Sequence, residues 1–301
     1  MAEVFRIEAP YREPFVLERL TFGDGDEPVV ACVAGMHGTE LTGVHALNIV
    51  ARTLGMLRVS GRVHLLPIVN SFGVDQGTKR WPFDDRDINR AFPGDPAGSP
   101  VQRIAYALLD ATRADVCVDL HSGSRVVREL PQVRVPLSGP ELAYARAMEL
   151  PVVWRRAGDR LEATGLVGAW REAARAALHL VGGRGGDLDL DHARALANGI
   201  LRLLGHLGVL GGGLVDPGET IVDTTRQGVC YHYSMCGGFW VPEVSVGDTV
   251  HPGHLLGAVV EVIGGRRLEE VRATGEGVIV TMRRYPVVHA RELLVRVAEK
   301  L

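Results

Sequence analysis

The residues of this chain best suited to chemistry stand at the ends of two apolar runs. The first run, Val29-Val30-Ala31-Cys32-Val33-Ala34, leads into Gly35-Met36-His37-Gly38-Thr39-Glu40, which sets a histidine and a glutamate three residues apart in one turn. The second, Ala114-Asp115-Val116-Cys117-Val118-Asp119-Leu120, leads into His121-Ser122-Gly123. Imidazole and carboxylate are common zinc ligands, and three protein ligands leave a fourth position open for water or substrate, the mark of a catalytic rather than a structural site. If the two runs are neighbouring strands, His37, Glu40 and His121 form a two-histidine, one-carboxylate set. A zinc ion on it would polarise a substrate carbonyl and lower the pKa of bound water towards roughly 7. Asp119, two residues before His121, either orients that histidine or is a buried polar residue at a strand end. His37 and Glu40 taken alone keep a second reading, a helix N-cap turn with Glu40 favouring the helix dipole and His37 in solvent.

The stretch between the two runs carries further candidates. Residues 71–99 show no clear period and are rich in Asp, Arg, Gly and Pro; a loop this long inside a compact domain is usually functional. It holds Arg80 and Asp87-Ile88-Asn89-Arg90-Ala91-Phe92-Pro93-Gly94. Asn89 beside Arg90 suits a substrate carboxylate, because a guanidinium offers a planar two-pronged donor and the amide one more. Arg80 suits an oxyanion as charge builds on an attacked carbonyl; taken singly, each arginine also fits a solvated or ion-paired surface residue, and it is their sharing a loop between the two halves of a metal site that favours the functional reading.

The elements that must position these residues follow from hydrophobic patterning. An unbroken apolar run reads as a strand buried on both faces, and ligands gather at the carboxyl ends of such strands in open α/β sheets. Residues 1–28 predict edge strands and a turn. Leu41–Leu54 has helical spacing, Val63–Val69 reads as a strand, and Val101–Thr112 as an amphipathic helix. Helical stretches near Pro140–Glu149 and Leu166–Ala176 bracket a short strand around Val152–Trp154. Ala177–Val181 is a strand that opens into Gly182-Gly183-Arg184-Gly185-Gly186, and Asp191–Leu207 is a helix. Alternating strand and helix predict an α/β unit. The composition shifts at Gly211-Gly212-Gly213; beyond it, short alternating segments and turns predict a small all-β module. The expected division is therefore residues 1–211 and 212–301.

Composition narrows the function classes. The 301 residues are 46% hydrophobic and the net charge is −3, so no broad basic surface argues for nucleic acid. No stretch reads as a signal peptide or membrane span, which predicts a cytoplasmic protein without a membrane partner. Cys32 and Cys117 lie in apolar runs and are expected as buried thiols; Cys230 and Cys236 lack the spacing of a structural zinc site. His232, His251 and His254 are expected at the surface or in loops. The segments 243–254 and 275–278 look like half-motifs of biotinyl or lipoyl carrier domains. Such carriers need a lysine at a hairpin tip, and the only lysine beyond residue 211 is Lys300, so a structural cap or an oligomer interface is expected instead.

Together these segments resemble the succinylglutamate desuccinylase and aspartoacylase group, relatives of the zinc carboxypeptidases. The resemblance rests on Gly35–Glu40, Asn70 with Gly77-Thr78-Lys79-Arg80, Asp87–Gly94, Asp119–Gly123, the glycine-rich segment 182–186 and the terminal β module. It implies a zinc-carboxypeptidase-like, mostly parallel mixed sheet flanked by helices, with a smaller barrel-sandwich-like all-β domain. It also implies one zinc ion per chain on His37, Glu40 and His121, a substrate carboxylate held by Asn89 and Arg90, and carbonyl polarisation by Arg80. The implied reaction is hydrolysis of the amide of a small N-acyl amino acid or related amine. A homo-oligomer stays open.

One position departs from that group. Its general base, a glutamate two residues before the first glycine of the glycine-rich segment, is Leu180 here. Leucine accepts no proton, and general acid–base catalysis contributes roughly 10²–10⁴-fold. A catalytically weak relative that keeps the pocket to bind a carboxylate is therefore the second reading. His179 could substitute only if a bulge turned it inward, since a regular strand is expected to point it away; Asp187 and Glu129 are further candidates.

Overall fold

The computed structural model describes residues 1–157 and 164–300. In chain order, β1 (Ala2–Ile7), β2 (Phe15–Phe22) and β3 (Val29–Val33) precede α1 (Leu41–Leu54), β4 (Arg62–Leu66) and a short helix α2 (Ser71–Gln76). A 3₁₀ turn at Ile88–Arg90 is followed by α3 (Pro100–Ala111), β5 (Val116–Gly123), β6 (Val127–Pro136), α4 (Pro140–Ala147) and β7 (Val152–Arg156). Then come α5 (Leu166–Glu172), β8 (Ala176–Arg184) and α6 (Leu190–His206). The remaining elements are short strands: β9 (Val222–Thr224), β10 (Val229–Tyr233), β11 (Gly238–Pro242), β12 (Thr249–Val250) and β13 (Leu255–Val260). The last four are β14 (Arg267–Arg272), β15 (Gly277–Arg283), β16 (Val287–Val288) and β17 (Leu293–Ala298).

The heart of the large sheet is parallel, in the order β4-β3-β5-β8. Its strands are mainly apolar because helices cover both faces. On one face Val30, Cys32, Val118, Leu120, Leu178 and Leu180 pack against α1, α4 and α6. On the other, Ala31, Val33, Cys117 and Ala177 pack against α3 and α5, with Trp170 fully buried. The sheet turns antiparallel away from this heart, at β1-β2-β4 on one side and at β8-β6-β15-β17-β10 on the other. The architecture is thus α/β with a large mixed sheet and a β-rich C-terminal region.

Ladder hydrogen bonding does not stop near residue 212: β15 pairs with β6 and β9 with β7. A separate four-stranded sheet, β14-β13-β11-β16, packs its own core around Trp240, Leu256, Val259 and Leu294.

Helices α1, α3 and α6 and the central strands fall within a few residues of their sequence-derived bounds. The strand β6 and the helix α2 are not apparent from patterning. Cys32 and Cys117 are buried free thiols. His251 and His254 are exposed, but His232 is 7% exposed inside β10, where its Nε2 accepts from the Thr274 N–H at 3.2 Å. In β10 Val229 and His232 are the buried residues, and the histidine turns to the Thr274 backbone rather than to solvent. No helix among the described residues is long and apolar enough to cross a membrane.

Candidate metal centre and substrate pocket

Pairing of β3 with β5 sets Val33 opposite Asp119, so the turn after β3 comes level with His121 inside β5. Two glycines allow the tight path around this turn. Gly35 has φ +63°, a region that disfavours side chains, and a Cβ on Gly38 would lie 1.9 Å from the Gly73 carbonyl carbon of α2. Glu40 occupies the N-cap position of α1 without capping it; its side chain turns to the histidines instead. Its Oε1 lies 2.9 Å from His37 Nδ1 and its Oε2 2.7 Å from His121 Nδ1. The three side chains are 5–7% exposed, so the reading of His37 as a solvated N-cap neighbour is overturned.

Each imidazole is also held from behind. His37 Nε2 donates to Asp87 Oδ1 at 3.0 Å, and His121 Nε2 donates to Asp119 Oδ2 at 2.8 Å. This arrangement fixes both rings and aims both Nδ1 atoms at Glu40. Asp119 reaches His121 because β5 stays regular, and alternation puts residues two apart on one face. Burial alone would raise the Glu40 carboxyl, yet the His121 and His37 imidazoles outweigh it and hold it far below the carboxylate range. Burial alone would lower His121, but the Asp119 and Glu40 charges drive it well upward. Asp87 is held down to about 2: burial pushes it up, and the His37 imidazole, the Lys79 charge and the Asn89 N–H together outweigh that.

The donor set fits a divalent ion. One ligand atom from each of His37, Glu40 and His121 lies within 4.8 Å of the others. Tetrahedral zinc at 2.0–2.1 Å separates its ligands by about 3.4 Å, so only small side-chain adjustments are needed. With Nε2–H held by a carboxylate, each Nδ1, which meets Glu40 here, is the nitrogen that would give up its proton to bind a metal.

A cavity of about 260 Å³ opens beside the cluster. Asp119, His179 and Arg134 stand opposite one another on β5, β8 and β6, and all three line it together with His121. The His179 ring lies 5.0 Å from the His121 ring, centroid to centroid. The expectation that a regular strand turns His179 away is therefore corrected: in this register His179 is opposite Asp119 and faces the cavity. Leu180 points through the sheet into the core under α1 and α6. Asp187 is exposed and pairs with Arg184, and Glu129 is buried away from this cavity, against Thr281 and Gln132.

The loop residues are placed unevenly. Asn89 and Arg90 line the cavity; the Asn89 Oδ1 accepts from the Leu166 N–H at 2.9 Å, tying the loop to the start of α5. Asp87 shapes that turn too, its Oδ1 accepting from the Asn89 N–H at 2.9 Å. Arg80 is not among the lining residues. Its guanidinium donates to Asp85 Oδ2 at 2.9 Å in an outer groove that also contains Arg90. Sequence reasoning missed Asp87, whose signal was its place at the head of Asp-Ile-Asn-Arg, and missed Arg134 and Arg156, which also line the cavity and carry no local motif.

Residues 26–207 match the catalytic domain of succinylglutamate desuccinylase/aspartoacylase. The chain belongs to that family. It is 30% identical over 277 residues to the N-alpha-acetyl-L-2,4-diaminobutyric acid deacetylase of Halomonas elongata, covering 87% of this chain and 79% of that protein. A succinylglutamate desuccinylase/aspartoacylase from Rhodobacter sphaeroides superposes with TM-score 0.79 at 25% identity, covering 96% of this chain and 90% of its own. The product-bound ectoine utilization protein EutE (DoeB) from Ruegeria pomeroyi superposes with TM-score 0.78 at 22% identity, covering 95% and 90%, a likeness of fold. Members of this family are deacylases, which makes amide hydrolysis the chemistry to consider for the cavity.

Proposed function

We propose that this chain is a zinc-dependent hydrolase that cleaves the amide bond of a small N-acyl amino acid or related N-acyl amine, with one ion per chain held by His37, Glu40 and His121. The observation that carries this reading is the double clasp: two histidines aimed at one glutamate, each braced by its own aspartate, beside a cavity of substrate size. An ion there supplies carbonyl polarisation and a water of lowered pKa.

The chain's own groups do the rest. Because Asn89 Oδ1 is committed to the Leu166 N–H, its amide NH₂ is the end left to donate to a substrate carboxylate, next to the Arg90 guanidinium. Arg80 serves the carbonyl oxygen only after leaving Asp85. His179, facing the same cavity as His121, is the proton acceptor that we assign in place of the family's glutamate. The zinc-carboxypeptidase-like description of the fold, the division into residues 1–211 and 212–301, and a cytoplasmic setting belong to the same reading.

The burial of Leu180 on the far side of the sheet favours the second reading, a weakly active or inactive relative that binds a carboxylate ligand. One experiment decides between them. Zinc-loaded protein is incubated with a panel of N-acyl amino acids, beside His121→Ala and His179→Ala. Turnover lost in both variants supports the hydrolase with His179 as base. Turnover lost only in His121→Ala removes His179 from the mechanism. No turnover of any substrate by stoichiometrically loaded protein supports the binder.

A further inference from the structure

The edge of β6 is shared. Val127–Glu129 pair with β15, whereas Gln132–Pro136 pair with β7, so two branches of sheet diverge from one strand. Two cross-strand rows lead into the fork. Along the first, Asp119, His179, Arg134 and Trp154 are successive partners on β5, β8, β6 and β7. Along the second, Glu129, Thr281, Arg296 and Tyr231 are successive partners on β6, β15, β17 and β10. Partners in register share a face, so one row runs outward from the histidine cluster and the other inward from the C-terminal strands.

The rows meet around a cavity of about 270 Å³. Four arginines reach it: Arg134 and Arg156 from the first row's strands, Arg296 from β17 and Arg226 from the turn before β10. Among the described residues the one carboxylate in the lining, Glu129, is only 4% exposed and lies beneath them. Its Oε2 accepts from Thr281 Oγ1 at 2.5 Å and from Gln132 Nε2 at 3.1 Å, while Oε1 is 3.4 Å from Arg296 Nη1 and 3.5 Å from Arg134 Nη2. Trp154 stands against both guanidinium groups, 5.9 Å from Arg134 and 5.8 Å from Arg296, and the Tyr231 ring is 5.5 Å from Arg296. A buried carboxylate and two aromatic faces thus hold cations in fixed positions at a concave surface, an arrangement suited to planar oxyanions. Arg134 and Arg156 also line the cavity beside the metal cluster, so the two cavities adjoin.

We infer that this fork is an oxyanion site, which takes a carboxylate or phosphate group carried either by the far end of the substrate or by a free anion. Like charges gathered in a cleft concentrate anions and repel ammonium groups, so a ligand with a distal cation is excluded. The substrate source rests on the deacylase reading; the anion site itself does not.

The test is calorimetric binding of inorganic phosphate and of glutarate to the intact, metal-loaded chain at constant ionic strength, in wild type, Arg226→Ala and Arg226→Glu. Arg226 is exposed, and neither substitution should alter the anion-free melting temperature. Saturable binding weakened about tenfold by Arg226→Ala, and further by Arg226→Glu, is expected. Absence of saturable binding, or binding equal in all three proteins, overturns the inference. Phosphate is then set against hydrolysis of N-acyl amino acids with and without a distal carboxylate. Competition with the distal acid alone assigns the site to substrate, and an equal effect on both assigns it to a free anion. Failure of every substrate to react overturns the deacylase reading, while the calorimetry still decides the site.

Discussion

The histidine cluster and the arginine loop supply the same cavity from opposite structural positions. His37, Glu40 and His121 hang on strand ends and a helix start whose backbones are locked by the parallel ladder, and each of their polar side-chain atoms has a partner that is buried or partly buried. Arg80 and Arg90 lie on a segment joined to the core chiefly through Asp87, Asn89 and Trp81, and Arg80 is engaged with its own loop. The first region is organised in advance; in the second, Arg90 already lines the cavity, and Arg80 would have to leave Asp85 to take the role proposed for it. Pre-organisation of donors and ligands is the larger source of rate acceleration, so substitutions in the two regions should have different signatures.

The largest effect is expected from His121→Ala, which should abolish stoichiometric zinc uptake, measured by metal analysis after dialysis, and reduce N-acyl amino acid hydrolysis to background. Next, Arg80→Ala should lower kcat by about 10²–10³ if the guanidinium reaches the oxyanion, with zinc content unchanged. Asp85→Ala, which releases Arg80, should leave kcat equal or raised a few-fold. A fall in Asp85→Ala matching that of Arg80→Ala would mean that the observed pair is itself the working geometry, and the contrast between the regions would break. Asp87→Asn and Asp119→Asn should each weaken zinc affinity about 10–100-fold, read by competition with a chromophoric chelator. Equal losses at both would show that the two clasps are equivalent.

The smallest effect tests a histidine outside both regions. His64 on β4 is pushed down to about 4 by burial, with the Arg19 and Arg62 charges adding to it. Between pH 6.5 and about 4 the unfolded chain binds a proton there that the folded chain refuses, so stability falls as pH falls through this window. The loss should reach roughly 2–3 kcal/mol across it. His64→Gln should flatten that part of a denaturation-versus-pH curve, measured on metal-free protein so that ligand protonation is common to both.

Much of this was legible in the primary structure, for identifiable reasons. The central strands and α1, α3 and α6 carry hydrophobic periods that tertiary contacts reinforce, and the cluster of His37, Glu40 and His121 sits where such strands end. Two failures have local causes. β6 mixes Arg128, Glu129, Gln132 and Arg134 with apolar residues, and Glu129 and Arg134 line cavities instead of meeting solvent, so its inward polar side chains resemble surface charge. His179 was misassigned because direction was counted back from the glycines, whereas facing is set by pairing with Asp119 across the ladder. Register is a long-range property, and a single chain segment does not display it. Arg80 shows the converse: its position in the loop was readable, but its engagement with Asp85 was not.

The shared edge of β6 also governs how the chain can be shortened. Removing everything after residue 211 would strip β15 from one half of that edge and β9 from β7. Rows of unsatisfied amides would then be laid open beside the apolar side chains of Leu130, Val152 and Trp154. Such a rim is a template for further strands. The shortened protein should accordingly self-associate into insoluble particles rather than persist as a small independent enzyme.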